Sequence, residues 1–134
     1  MINNSDKKRM KKAAKDVFKN AYVPYSEFPL AAALLTKDGK VFTGVNIENA
    51  AYGSTMCAER TAIFKAVSEG YTEFEALLLL SNTKKPITPC GACRQVINEF
   101  DGEIDIIMTT YENGELIKKN KELLPSSFNK DDME

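Results

Sequence analysis

The sequence predicts an α/β protein, a three-layer α/β/α sandwich built on a mixed five-stranded sheet. Three observations carry this. Helical and strand-like segments follow one another in the order α, β, β, α, β, α, β, β, and sandwich layers arise from such alternation. An Asp-Gly pair, Asp38-Gly39, separates the first two strand-like runs and marks an antiparallel hairpin. The later apolar runs are connected through helices, which makes those strands parallel. A chain of 134 residues buries about two thirds of its surface when it folds alone. One domain over residues 1–134 is therefore expected, with the polar stretch 129–134 fraying as a flexible tail.

The first helix is expected over residues 6–20. Met10, Ala13, Ala14, Val17, Phe18 and Ala21 form its apolar stripe, and lysines occupy the solvated face. Tyr22 to Pro29 holds two prolines and reads as a loop. Strands are expected near 30–36 and 40–45. Asn46 to Met56 has no periodicity and reads as a long binding loop with some local helix. From Cys57, alanines at helical spacing with Ile63 and Val67 predict a helix that Gly70 ends. Glu75 to Ser81 fits a strand buried on both faces. Cys93, Val96, Ile97 and Phe100 predict a second core helix, ended by Asp101-Gly102. Glu103 to Thr109, a turn at Glu112-Asn113-Gly114, and a short strand at Leu116 to Lys118 complete the order.

Composition excludes several classes. Hydrophobic residues make up 43% and charged ones 28%, so wholly disordered and fibrous readings fail. No apolar run approaches the roughly 18 residues of a membrane span, and no membrane partner is expected. The charged N-terminus lacks the apolar core of a signal peptide, and a cytoplasmic location is expected. With 18 basic and 19 acidic residues the net charge is −1, which argues against a nucleic acid polymer as partner. Histidine is absent, so every mechanism that needs imidazole is excluded. The cysteines number three, an odd count that disfavours a disulfide framework.

Those cysteines are placed with a pattern. Cys57-Ala58-Glu59-Arg60 opens one helix and Pro89-Cys90-Gly91-Ala92-Cys93-Arg94 opens the next. Helix N-termini favour thiolates, and parallel strand-helix units bring such termini to one sheet edge. Cys57, Cys90 and Cys93 are thus candidate metal ligands. Structural zinc sites are closed by four ligands, whereas three leave a position open for water or substrate. Glu59 is the carboxylate near a ligand and long enough to reach that position. Arg60 and Arg94 follow ligands and are expected to donate hydrogen bonds to sulfur, offsetting the surplus negative charge. A Cys-x-x-Cys alone fits buried thiols equally well, and a first-turn Glu alone fits a dipole-stabilising role. Their conjunction is the specific signal.

The pairing of Cys57-Ala58-Glu59 with Pro89-Cys90-Gly91-Ala92-Cys93 matches the all-cysteine form of the zinc deaminase signature. Together with Pro24-Tyr25-Ser26-Glu27-Phe28 and Asn46-Ile47-Glu48-Asn49-Ala50-Ala51-Tyr52-Gly53, it makes the chain resemble the small homotetrameric cytidine deaminases of pyrimidine salvage, from about Ala14 to Phe128. The resemblance implies a cytidine deaminase-like fold, one zinc per chain on Cys57, Cys90 and Cys93, Glu59 as proton shuttle and Arg60 tempering the thiolates. It further implies that Asn46 and Glu48 hold the ribose 3′-hydroxyl, that Phe28 lies beside the base, and that the Ala58 N–H meets the pyrimidine O2. Phe128 resembles an aromatic lent to a neighbouring subunit, and Ala50 and Tyr52 lie in a loop reaching an adjacent site. The family commonly has glycine where this chain has Ala31, a methyl the fold is expected to absorb.

The activity so implied is hydrolytic deamination of cytidine and deoxycytidine to uridine and deoxyuridine with release of ammonia. An aminonucleoside deaminase of the blasticidin S type shares the cysteine elements and is the nearest rival. A structural zinc module that binds RNA is a rival of another class; it lacks support from a fourth ligand or a basic, aromatic-lined surface.

Overall fold

The computed structural model describes residues 2–134. Helix α1 spans Asn4–Phe18 and is followed by strands β1, Leu30–Thr36, and β2, Val41–Val45. Helix α2, Ala58–Ser68, leads to β3, Phe74–Ser81, and α3, Gly91–Phe100, leads to β4, Asp105–Thr110. Strand β5, Glu115–Lys119, and a short helix α4, Asn120–Leu123, follow. The five strands form one sheet in the order β2-β1-β3-β4-β5. Only β3 and β4 pair in parallel; the other pairs are antiparallel. The mixed five-stranded sheet and the sandwich expected from the sequence are both present.

The layers follow from strand pleating, because successive side chains point to opposite faces. On one face Ala31, Ala33, Leu35, Leu78, Leu80 and Ile107 pack with Met10 and Ala14 of α1. On the other, Ala32, Leu34, Leu77, Ile106 and Met108 pack with Ala58, Ala62, Ile63 and Ala66 of α2 and Ile97 of α3. Each fully buried leucine in β3 contributes about 2 kcal/mol through removal of apolar surface from water, which makes this strand the axis of both cores. Ala31, fully buried on the α1 face, is accommodated as expected.

Element ends differ from the sequence reading for local reasons. α1 begins at Asn4 because the Asn3 side chain accepts a hydrogen bond from the Asp6 N–H at 2.8 Å, an N-cap. The hairpin turn uses Gly39 at φ 95°, and the Thr36 hydroxyl accepts from the Lys40 N–H at 2.9 Å. The long loop holds one 3-10 turn at Tyr52–Ser54. Helix α4 was not expected, since four residues show no period. Tertiary bonds hold it: the Asn120 N–H donates to the Ile104 carbonyl at 3.0 Å and that of Lys121 to Gly102 at 2.9 Å. In the terminal stretch Lys130–Met133 forms a 3-10 turn capped by Asn129. Among the described residues, no helix is long and apolar enough to cross a membrane.

Gly44 sets how closely β2 meets α2. A Cβ there would lie 2.5 Å from the Ala58 carbonyl oxygen and 2.5 Å from the Ala62 nitrogen, both backbone atoms. Gly44→Ala is therefore expected to push the first turns of α2 off the sheet and to destabilise the fold by about 1–3 kcal/mol, read as a lower urea midpoint. The same substitution at exposed Gly53, where a Cβ would meet nothing within 4 Å, is the control.

Candidate active site

Strand direction decides where the cysteine-bearing helices start. β2 is antiparallel to β1, and β1 to β3, so β2 and β3 run the same way. The helices that follow them, α2 and α3, therefore begin at one edge of the sheet. Cys57 is the N-cap of α2 and Cys90 that of α3, and neither side chain caps its own helix. Cys93 lies in the first turn of α3, fully buried. The three sulfurs lie within 4.8 Å of one another, Cys57 and Cys90 at 3.8 Å, and none is in a disulfide. Two sulfurs each about 2.3 Å from a tetrahedral zinc stand about 3.8 Å apart. Donor type and spacing fit a zinc ion with one coordination position left open.

A guanidinium stands beside the sulfurs. Arg60 Nη2 donates to Cys57 Sγ at 3.4 Å, as expected from its place one turn on. The neighbouring Cys93 thiol, reinforced by Arg60, brings the Cys57 thiol down to about 5. Cys93 in turn is held well above the ordinary thiol range by Cys57 beside it and by burial. Arg94 corrects the sequence reading. Its Nε donates to the Pro89 carbonyl and its Nη1 to the Leu123 carbonyl, each at 2.7 Å, so it braces backbone rather than sulfur.

Glu59 is 2% exposed, and its Oε1 has no hydrogen-bond partner. Burial pushes the carboxyl up to about 7, with the Cys57 thiolate adding to the rise and Arg60 opposing it. A carboxyl that changes protonation near neutrality, beside three metal-type donors, is suited to move protons. Ala58 precedes it as the first residue of α2, a position whose N–H has no carbonyl one turn earlier in its helix.

A second group of residues reaches the same edge through the loops. Ile47 exchanges backbone hydrogen bonds with Met56, both at 2.9 Å, which sets Asn46 and Glu48 alongside the strand leading to Cys57. Asn46 Nδ2 donates to the Phe28 carbonyl at 2.8 Å, and its Oδ1 accepts from the Leu30 N–H at 3.0 Å. Glu48 Oε1 accepts from the N–H groups of Tyr25 and Ser26, each at 3.0 Å, while Oε2 accepts from the Ser26 hydroxyl. That hydroxyl is the first cause holding the Glu48 carboxyl below its ordinary value. Tyr25, Ser26, Glu48, Tyr52 and Thr55 line an open cleft of about 380 Å³. Phe28 is 40%, Tyr52 76% and Phe128 60% exposed, and Ala50 is also exposed.

Two contributors escaped the sequence reading. Ser26 ties Glu48 to Phe28, because its hydroxyl also accepts from the Phe28 N–H at 3.1 Å; its place two residues before Phe28 was the available signal. Gln95 Nε2 donates to the Phe128 carbonyl at 2.8 Å across 33 residues, a contact no local pattern announces.

Known proteins are similar to this chain in sequence and fold. The sequence profile described as the cytidine and deoxycytidylate deaminase zinc-binding region matches residues 4–109. A cytidine deaminase of Sporosarcina psychrophila is 49% identical over 121 residues, 90% of this chain and 89% of the relative. The crystal structure of cytidine deaminase from Burkholderia pseudomallei matches with a TM-score of 0.88 at 42% identity, covering 95% of this chain and 100% of that one. The blasticidin-S deaminase of Bacillus cereus is more distant, 30% identical over 108 residues, 74% of this chain and 76% of the relative. With its paired helix starts, cysteine cluster and buried glutamate in that company, the chain belongs to the zinc-binding cytidine and deoxycytidylate deaminase family.

Proposed function

We propose that the protein is a zinc-dependent hydrolase that converts cytidine and deoxycytidine to uridine and deoxyuridine, releasing ammonia, as part of pyrimidine salvage in the cytoplasm. The observation that carries this reading is the meeting of three free sulfurs with a buried carboxyl whose Oε1 is unpartnered. The likeness to cytidine deaminases, stronger than that to blasticidin-S deaminase, supports a pyrimidine nucleoside over the antibiotic.

Cys57, Cys90 and Cys93 would hold the zinc, which when bound supplies a Lewis acid that makes water a nucleophile near neutral pH. Arg60 offsets part of the thiolate charge through its bond to Cys57. Glu59 takes a proton from the attacking water and delivers it to N3 of the base as the C4–O bond forms. It then takes the proton of the new C4 hydroxyl and passes it to the amino group as the C4–N bond breaks and the C4 carbonyl forms, so that water and cytidine give uridine and ammonia. The Ala58 N–H binds O2 of the pyrimidine and Phe28 lies along the ring. Asn46 and Glu48 hold the ribose 3′-hydroxyl, and their bonds to the 25–30 segment pre-set that position. A sugar hydroxyl that adds hydrogen bonds to this pair would select nucleosides over free bases.

Tyr25 and Tyr52 line an open cleft, and Phe28 and Phe128 are further exposed aromatics. Covering such surface with further copies of the chain excludes water and strengthens the electrostatics on which the reaction depends. A homotetramer is proposed, with Phe128 and the loop carrying Ala50 and Tyr52 lining neighbouring sites.

Elemental analysis is expected to give one zinc per chain, and Cys90→Ala to lose it; three freely reactive thiols in an active, metal-free protein contradict the site. Glu59→Gln is expected to retain zinc and the unfolding midpoint while kcat for cytidine falls about 10²- to 10⁴-fold, measured by ammonia release. Sedimentation is expected at four times 14.9 kDa. Phe128→Ala is expected to raise KM, and subunit exchange with Glu59→Gln to regenerate low-KM sites in proportion to mixing.

A further inference from the structure

Arg94 and Gln95 directly follow the cysteine pair in α3, and both bind backbone of the C-terminal segment. Arg94 Nε holds the Pro89 carbonyl and Nη1 the Leu123 carbonyl, each at 2.7 Å. Asn120 Nδ2 donates back to the Arg94 carbonyl at 3.0 Å, so α3 and α4 clasp each other reciprocally. Gln95 Nε2 holds the Phe128 carbonyl at 2.8 Å. Adjacent residues of one helix thus grip both ends of the segment 123–128, and one of them also grips the residue before Cys90. Between the grips Ser126 adopts φ 54°, which turns the chain back toward α3. Phe128 remains 60% exposed although its carbonyl is fixed, so the grip acts on backbone and leaves the residue open to a neighbour.

We propose that Arg94 and Gln95 are positioning residues that register the C-terminal segment on the cysteine loop: Arg94 sets the spacing between the Pro89-Cys90 loop and α4, and Gln95 sets where Phe128 is presented. The planar guanidinium fork suits Arg94 to two carbonyls at once, which a single ammonium does not match. The kinetic consequence rests on the reading of Phe128 as part of the nucleoside pocket; the grip itself does not.

Amide hydrogen exchange and cytidine kinetics on the zinc-loaded protein test this. Gln95→Leu is expected to speed exchange across 124–128 and to raise KM about fivefold, the worth of one hydrogen bond. Its kcat should stay within about twofold, with zinc content unchanged. In a Phe128→Ala background the same substitution is expected to leave KM unchanged while still speeding exchange. Arg94→Lys is expected to speed exchange across 120–124 and to hasten zinc loss to a chelator. Unchanged exchange in Gln95→Leu, or KM effects that add in the double variant, overturns the proposal. Absence of cytidine turnover by the unmodified protein would instead overturn the functional reading, and the exchange and chelator measurements would then decide the grip alone.

Discussion

Two helices can share donors at their N-termini only if the strands before them point the same way. Here β1 is inserted between β2 and β3 and is antiparallel to both, which leaves β2 and β3 codirectional. That single topological constraint brings Cys57 to Cys90 across 33 residues of sequence. The fine adjustment comes from Gly44, whose missing side chain lets the backbone of α2 settle onto β2. Strand pairing sets the position of the cysteine cluster in the fold, and the glycine sets its depth.

The electrostatics of this corner are a balance of opposed charges. Three sulfurs and a carboxyl are gathered where two helix N-termini and one guanidinium supply positive potential. Cys57 is biased toward the thiolate by the Cys93 thiol beside it and by Arg60. Glu59 is driven the other way by burial. Cys57 and Glu59, two residues apart, are therefore held in opposite protonation tendencies without any histidine.

Much of this was legible in the sequence, and the exceptions share a cause. The cysteines could be placed at helix starts because apolar periodicity begins after Cys57 and after Cys90, and the place of Arg60 close after Cys57 anticipated its bond to sulfur. The hairpin followed from Asp38-Gly39, and the layers from the alternation of helix and strand. Arg94 departs from that reading because one of its two carbonyl partners, Leu123, lies in α4, a four-residue helix held by bonds to Gly102 and Ile104 rather than by its own pattern. The double use of the Ser26 hydroxyl was hidden for the same reason: its partners Glu48 and Phe28 are set by a loop crossing, and loop crossings leave no periodic trace.

The interleaved strand order also bears on how the molecule comes together. The β1-β2 hairpin joins neighbours in sequence and needs little loop closure, whereas β1 must wait for β3, which is translated after α2. Pairings between distant segments are slow because chain entropy is lost before contacts reward it. Cys90 and Cys93 become neighbours as soon as α3 winds, but Cys57 joins them only when the middle of the sheet has closed. A trio of sulfurs distributed in this way is complete only once β2, β1 and β3 have paired, so its assembly reports on closure of the middle of the sheet.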